Sequence, residues 1–130
     1  MTKPNFGTPD DVEQAAAVLL RGTAAAAHAL ADLAVRDDRY DQLAAFAAAS
    51  HATEATSYLP LPDGDPDDSG VEAGHGLVDL LVSLADRLDE LAQSSADVRQ
   101  LRDRHMAALN ARDAAVALRN ALPVEQGTAR

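Results

Sequence analysis

The chain has 130 residues, no cysteine, and 11 Lys/Arg against 21 Asp/Glu, a formal net charge of −10. That length makes one domain able to bury a core without disulfides or metal, and the missing cysteine excludes a disulfide framework, thiolate catalysis and Cys-based zinc. The acid excess disfavours nucleic acid and anionic lipid as partners.

The charge is unevenly spread. Residues 1–39 carry four Lys/Arg and six Asp/Glu, residues 40–86 carry none and nine, and residues 87–130 carry seven and six. A field of that kind favours a basic partner over an acidic one. The N-terminus, Met1 to Gly7, has no apolar h-region, and Leu77–Leu84 is too short to span a bilayer and contains Asp79. The expectation is a cytoplasmic protein. Arg is preferred over Lys and Ala is abundant, which fits a GC-rich, bacterial coding bias.

Residues 1–8 read as a flexible tail, after which Thr8-Pro9-Asp10-Asp11 forms a helix start: Thr8 as N-cap, Pro9 at the first helical position, two carboxylates at the positive dipole end. Val12, Ala16, Leu19, Thr23, Ala26, Leu30 and Leu33 then recur at steps of four and three, a stripe of mostly small side chains. Such a stripe predicts close approach to a bulkier neighbour. The first helix is expected over about residues 9–36. A new cap at Asp37 or Asp38 is favoured over one continuous helix to Leu59, since soluble domains rarely keep a helix that long.

The second helix, about 38–59, is expected to bury Tyr40, Leu43, Ala47, His51, Ala55 and Tyr58, with Phe46 beside them, and to end at Pro60. Residues 60–76 then hold three Pro, four Gly and the carboxylates Asp63, Asp65, Asp67, Asp68 and Glu72 without one basic residue. This predicts an acidic surface loop longer than joining two helices requires.

In the third helix, about 77–93, Leu77, Leu81, Leu84, Leu88 and Leu91 keep the helical rhythm, while Val78, Leu80, Val82 and Ala85 widen the apolar surface beyond one stripe. It is expected at the centre of the core. Ser94, with Asp97 three residues on, reads as the cap of a fourth helix over 95–122, whose apolar face is Val98, Leu101, His105, Ala108, Leu109 and Val116. Pro123 stops it, and 123–130 read as a loose tail. The sum is an all-α, four-helix bundle: one domain over 9–122, two helical hairpins joined by a long acidic Gly/Pro/Asp-rich loop.

Chemistry-bearing patterns are few. Glu72-x-x-His75 has metal-ligand spacing, but as a single copy in a Gly-rich segment. Asp65 to Gly70 resembles the first half of a calcium loop, whose twelfth position falls on Gly76 where a bidentate Glu belongs. His51 and His105 sit on the expected apolar faces of their helices and, if they meet, could hold a metal ion or small ligand with Glu54 one turn away. No nucleophile–base pair or phosphate loop is present, so no enzyme and no resident cofactor are expected. The expectation is a non-enzymatic interaction or regulatory module. It would meet a protein partner, a basic one by charge, through Asp63, Asp65, Asp67, Asp68 and Glu72 or through an apolar helix face. Self-association into a homodimer is compatible with it. The alternative is a bundle that binds a metal or small ligand in its core near His51 and His105, with Glu54 one turn away, and Glu72 with His75 is a separate candidate pair for a metal ion.

Overall fold

The computed structural model describes residues 9–60 and 71–123 and holds four helices: α1 (Pro9–Ala34), α2 (Gln42–Thr56), α3 (His75–Gln93) and α4 (Val98–Ala121). No strand occurs among the described residues, and no helix there is long and apolar enough to cross a membrane. Thr8, the run from Asp63 to Gly70 and the tail from Val124 lie outside the described residues.

The breaks between helices follow from carboxylates and hydroxyls that satisfy exposed backbone groups. The Asp37 carboxylate is taken up by Arg39, which donates its backbone N–H at 3.1 Å, Nε at 3.1 Å and Nη2 at 2.8 Å. That occupancy keeps Asp37 from capping, and the second helix starts later than expected. Its N-cap is Asp41, whose side chain accepts from the Ala44 N–H at 3.1 Å. At the other hairpin, Ser94 closes α3 rather than opening α4. Ser94 and Ser95 donate to the Leu91 carbonyl at 3.2 and 2.7 Å, and Asp97 caps α4 by accepting from the Arg99 N–H at 3.0 Å.

Packing runs α1 on α2, α2 on α4 and α4 on α3, while α3 and α1 touch only sparsely. The Asp41 N–H donates to the Ala121 carbonyl at 3.0 Å, which sets the start of α2 beside the end of α4. His75 Nε2 lies 3.1 Å from the Pro123 carbonyl, which sets the start of α3 at that same end. Neighbouring helices are therefore antiparallel, and α2 and α3 stand diagonally, running the same way. Pro60 and Val71 thus lie at opposite ends of α2, a helix of about 22 Å at 1.5 Å per residue. The long connection is required by this order, as in bundles with one crossover, and is not an excess.

The faces turned inward differ from the expected ones in three helices. In α2 the buried residues are Ala45, Ala48, Ala49, Ala52 and Ala55, whereas Leu43 is 80% exposed and Phe46 points outward. In α4 they are chiefly Ala107, Ala108, Ala111, Ala114, Ala115, Leu118 and Ala121, and Val98, Leu101, Leu109 and Val116 are exposed. The cause is steric. α2 lies between α1 and α4, and two helices can come close only where both present methyl groups rather than branched side chains. On α1 the buried line is Val12, Ala16, Leu20, Thr23, Ala27, Leu30 and Ala31, so Leu19 and Leu33 turn away from the centre.

Bulk comes from α3, as expected: Leu77, Val78, Leu81, Leu88 and Leu91 are buried. Leu84 is an exception, half-buried toward α1. The buried polar side chains are satisfied close to home. Thr23 Oγ1 donates to the Leu19 carbonyl at 2.8 Å, and Asn110 Nδ2 to the Met106 carbonyl at 3.0 Å.

One arginine of α4 is not a surface charge. Arg104 is buried, donating from Nε to Glu13 Oε2 at 2.8 Å and from Nη1 to Ser95 Oγ at 2.7 Å and the Leu91 carbonyl at 3.5 Å. It ties α1, the end of α3 and α4 together at one point. Sequence gives no hint of this, because Arg104 stands among Arg99, Arg102, Arg112 and Arg119 with nothing to distinguish it.

Candidate functional site

Where α1 and α3 fail to close on one another, an apolar groove of about 400 Å³ opens. Val12, Ala15 and Leu19 form one wall and Leu80, Ser83, Leu84 and Arg87 the other. The helices are antiparallel, so Val12 lies toward Arg87 and Leu19 toward Leu80. The walls are unequal: α1 offers the small Ala15 between Val12 and Leu19, whereas α3 offers two leucines, of which Leu80 is 56% exposed. The one basic side chain in the lining, Arg87, is bonded through Nη1 to Glu90 at 2.9 Å.

The rim is acidic. Asp79 lies one helical turn before Ser83 and Asp11 one turn before Ala15, and both are exposed, whereas Asp86 turns the other way, to Arg112 of α4. At the far end of the same seam a second depression, of about 520 Å³, lies among Ala26, Leu30, Leu33, Tyr40, Val71 and Leu122, with Glu72 at its edge.

The residues expected to form a ligand site do not come together. His105 is exposed on α4 with Nδ1 3.3 Å from Asp89 of α3. His51 is half-buried on α2, which packs on the other flank of α4. Glu54 is exposed and accepts from the Tyr58 hydroxyl at 3.2 Å, a contact that raises the tyrosine's pKa. Glu72 is exposed before α3, while His75 is its first residue, held near the Pro123 carbonyl. The described residues contain no group of three or more His, Asp or Glu able to hold a metal ion. Asp63, Asp65, Asp67 and Asp68 lie outside the described residues.

His105 belongs instead to a surface network between α3 and α4. Arg112 donates to Asp86 at 2.7 Å and to Asp89 at 2.6 Å, and Asp89 also faces His105. These two carboxylates, by hydrogen bond first and charge second, raise the Arg112 pKa, so it stays cationic throughout the working range.

The groove had one signal in the sequence. Leu80 and Val82 widen the apolar surface of α3 beyond what one packing partner can cover, and both are left exposed, Leu80 in the groove. No protein-family model, curated protein or solved structure matches this chain.

Proposed function

We propose that this protein is a non-enzymatic helical interaction module whose α1–α3 groove receives an amphipathic helix of a protein partner, apolar along one stripe and basic on its flanks. The observation that carries this reading is the groove itself, an apolar trough between two antiparallel helices lined by Val12, Ala15 and Leu19 on one side and Leu80 and Leu84 on the other. Helix-in-groove recognition uses side chains at i, i+3, i+4 and i+7 laid into such a trough. Large side chains of the partner fit over Ala15, and small ones against the leucines. The charge of the flanks follows from the rim, since Asp11 and Asp79 border the trough and no Lys or Arg occurs between Arg39 and Arg87. Acidic rims speed encounter with basic partners and screen out acidic ones.

The test uses a synthetic helical peptide with a leucine stripe and lysines at the flanking positions, titrated into protein labelled at its methyl groups. Saturable shifts centred on Val12, Leu19, Leu80 and Leu84, weakened by salt and abolished by Leu80→Lys, are expected. Shifts scattered over the molecule, or binding that survives Leu80→Lys unchanged, would refute the reading.

A further inference from the structure

We infer that the outer face of the α3–α4 hairpin is a self-complementary surface that pairs two copies of this chain about a two-fold axis parallel to the helices. The starting observation is a contradiction between pattern and fold. Val98, Leu101, His105, Leu109, Arg112 and Val116 recur at steps of three and four, so they form one stripe of α4, and its four apolar members are the large hydrophobic side chains of that helix left exposed. Beside them, across the hairpin, Val82 of α3 is exposed as well. These five are half of the ten large apolar side chains exposed among the described residues. The stripe from Val98 to Val116 runs about 27 Å, and with α3 alongside, the face is two helices wide. A standard interface of roughly 800 Å² per partner has that footprint.

Charge selects the occupant. On this face α3 contributes Asp86 and Asp89, and α4 contributes His105, Arg112 and Arg119. The acidic row and the basic row therefore lie side by side on one surface, in a chain whose middle third has no basic residue at all. A two-fold axis across the helices would set α3 on α3, acid against acid. An axis parallel to the helices sets α3 of each copy over α4 of the other. Asp86 and Asp89 then meet the row of His105, Arg112 and Arg119, and Val82 meets Val116. The arrangement is isologous and closes at two copies.

Shape agrees with it. Between α3 and α4 a hollow of about 210 Å³ is lined by Asp89, Ala92, Gln93, Leu101 and His105. The parallel axis brings Leu101 of the second copy to the height of this hollow, and the exchange is reciprocal. The groove between α1 and α3 lies on a different side of α3 and stays open in the pair, so this inference does not rest on what fills that groove.

The experiment is sedimentation equilibrium at physiological salt on the full chain, on Val82→Lys, on Val116→Glu, and on an equal mixture of the two variants. Both positions are exposed and neither takes part in the Arg112 bonds, so helical circular dichroism should be unchanged. The wild type is expected to be a dimer. Each variant alone should weaken dimerisation by about tenfold or more, because Val82→Lys sets like charge against the basic row and Val116→Glu sets it against the acidic one. The mixture should recover the dimer, since the new lysine of one copy then faces the new glutamate of the other. A monomeric wild type, a dimer indifferent to both substitutions, or a mixture no tighter than its components would each overturn the inference.

Discussion

The two lateral seams of this bundle are built on opposite rules. Between α2 and α4, methyl faces Ala45, Ala48, Ala49, Ala52 and Ala55 on one helix and Ala107, Ala111 and Ala114 on the other, and all of them are buried. Between α1 and α3 the side chains are larger, yet Leu19, Leu80 and Leu84 remain partly in water around an open trough. Small side chains give a seam that closes because backbones can approach. Large ones set against a mixed wall hold their helices apart and leave a place for something else. Apolar content alone therefore does not say where a bundle is tight.

The largest effect should come from the bond that holds the open side to the closed one. Glu13→Ala leaves Arg104 buried with Ser95 and a carbonyl but no counter-charge, and should cost about 3–5 kcal/mol in chemical denaturation, since removing one partner of a buried pair strands the other. A loss within experimental error would mean that α1 is anchored by α2 alone. Next in size, Leu88→Ala, at a site fully buried in α3, should cost about 2–5 kcal/mol. Leu84→Ala, one turn away but facing the groove, should cost roughly 1 kcal/mol, because much of that side chain is already hydrated. Equal losses at the two leucines would put the groove inside the core.

The same substitution on the two seams should then differ in kind. Ala48→Leu forces bulk between α1, α2 and α4 and should destabilise by about 1–3 kcal/mol through overpacking. Ala15→Leu projects into the trough and should fall within about 0.5 kcal/mol of wild type. It should also block peptide binding. If thermal melts show both variants equally damaged, the seams do not differ as described.

How much of this could be read from the chain divides along the same line. Helix number and the turn after α1 were legible, since Pro, Gly and Asp act on local backbone whatever the tertiary context, whereas the need for a long connection between α2 and α3 was not, because it follows from the order in which the helices pack. The inward faces of α2 and α4 were not. In those helices the large residues Leu43, Phe46, Leu101 and Leu109 carry the periodic signal, whereas the burial is done by alanines present on every face. A pattern rule that follows size picks the exposed stripe. His51 and His105 were placed inward by the same rule and fail to meet for the same reason. On α3, where the leucines are the buried residues, the reading from pattern agrees with the fold except at Leu84. The Arg104–Glu13 bond joins residues far apart in sequence, and no local pattern announces it.

The smallest effect expected is local and depends on pH. Hydrogen bonds from Arg39 hold the Asp37 carboxyl below its ordinary pKa. A depressed carboxylate stabilises the fold fully above its unfolded value, and that contribution is lost as pH falls through the lower folded value. The α1–α2 turn should therefore loosen only below about pH 4, read as titration of the Asp37 side-chain carboxyl carbon shift in NMR while the helices persist. A carboxyl shift that titrates above about pH 4 would contradict the assigned contact.

Thiol labelling tests the contrast between the two seams most directly, because a chain without cysteine gives every introduced thiol an unambiguous signal. Single Ala15→Cys and Ser83→Cys variants, in the groove, should react with a maleimide probe at rates close to that of an exposed thiol. Ala48→Cys and Ala111→Cys, in the alanine seam, should react only as fast as the protein unfolds, slower by the full unfolding equilibrium. Protection of Ala15→Cys and Ser83→Cys as deep as that of Ala111→Cys would show that α1 and α3 close on each other in solution, and the groove would no longer stand as a docking site.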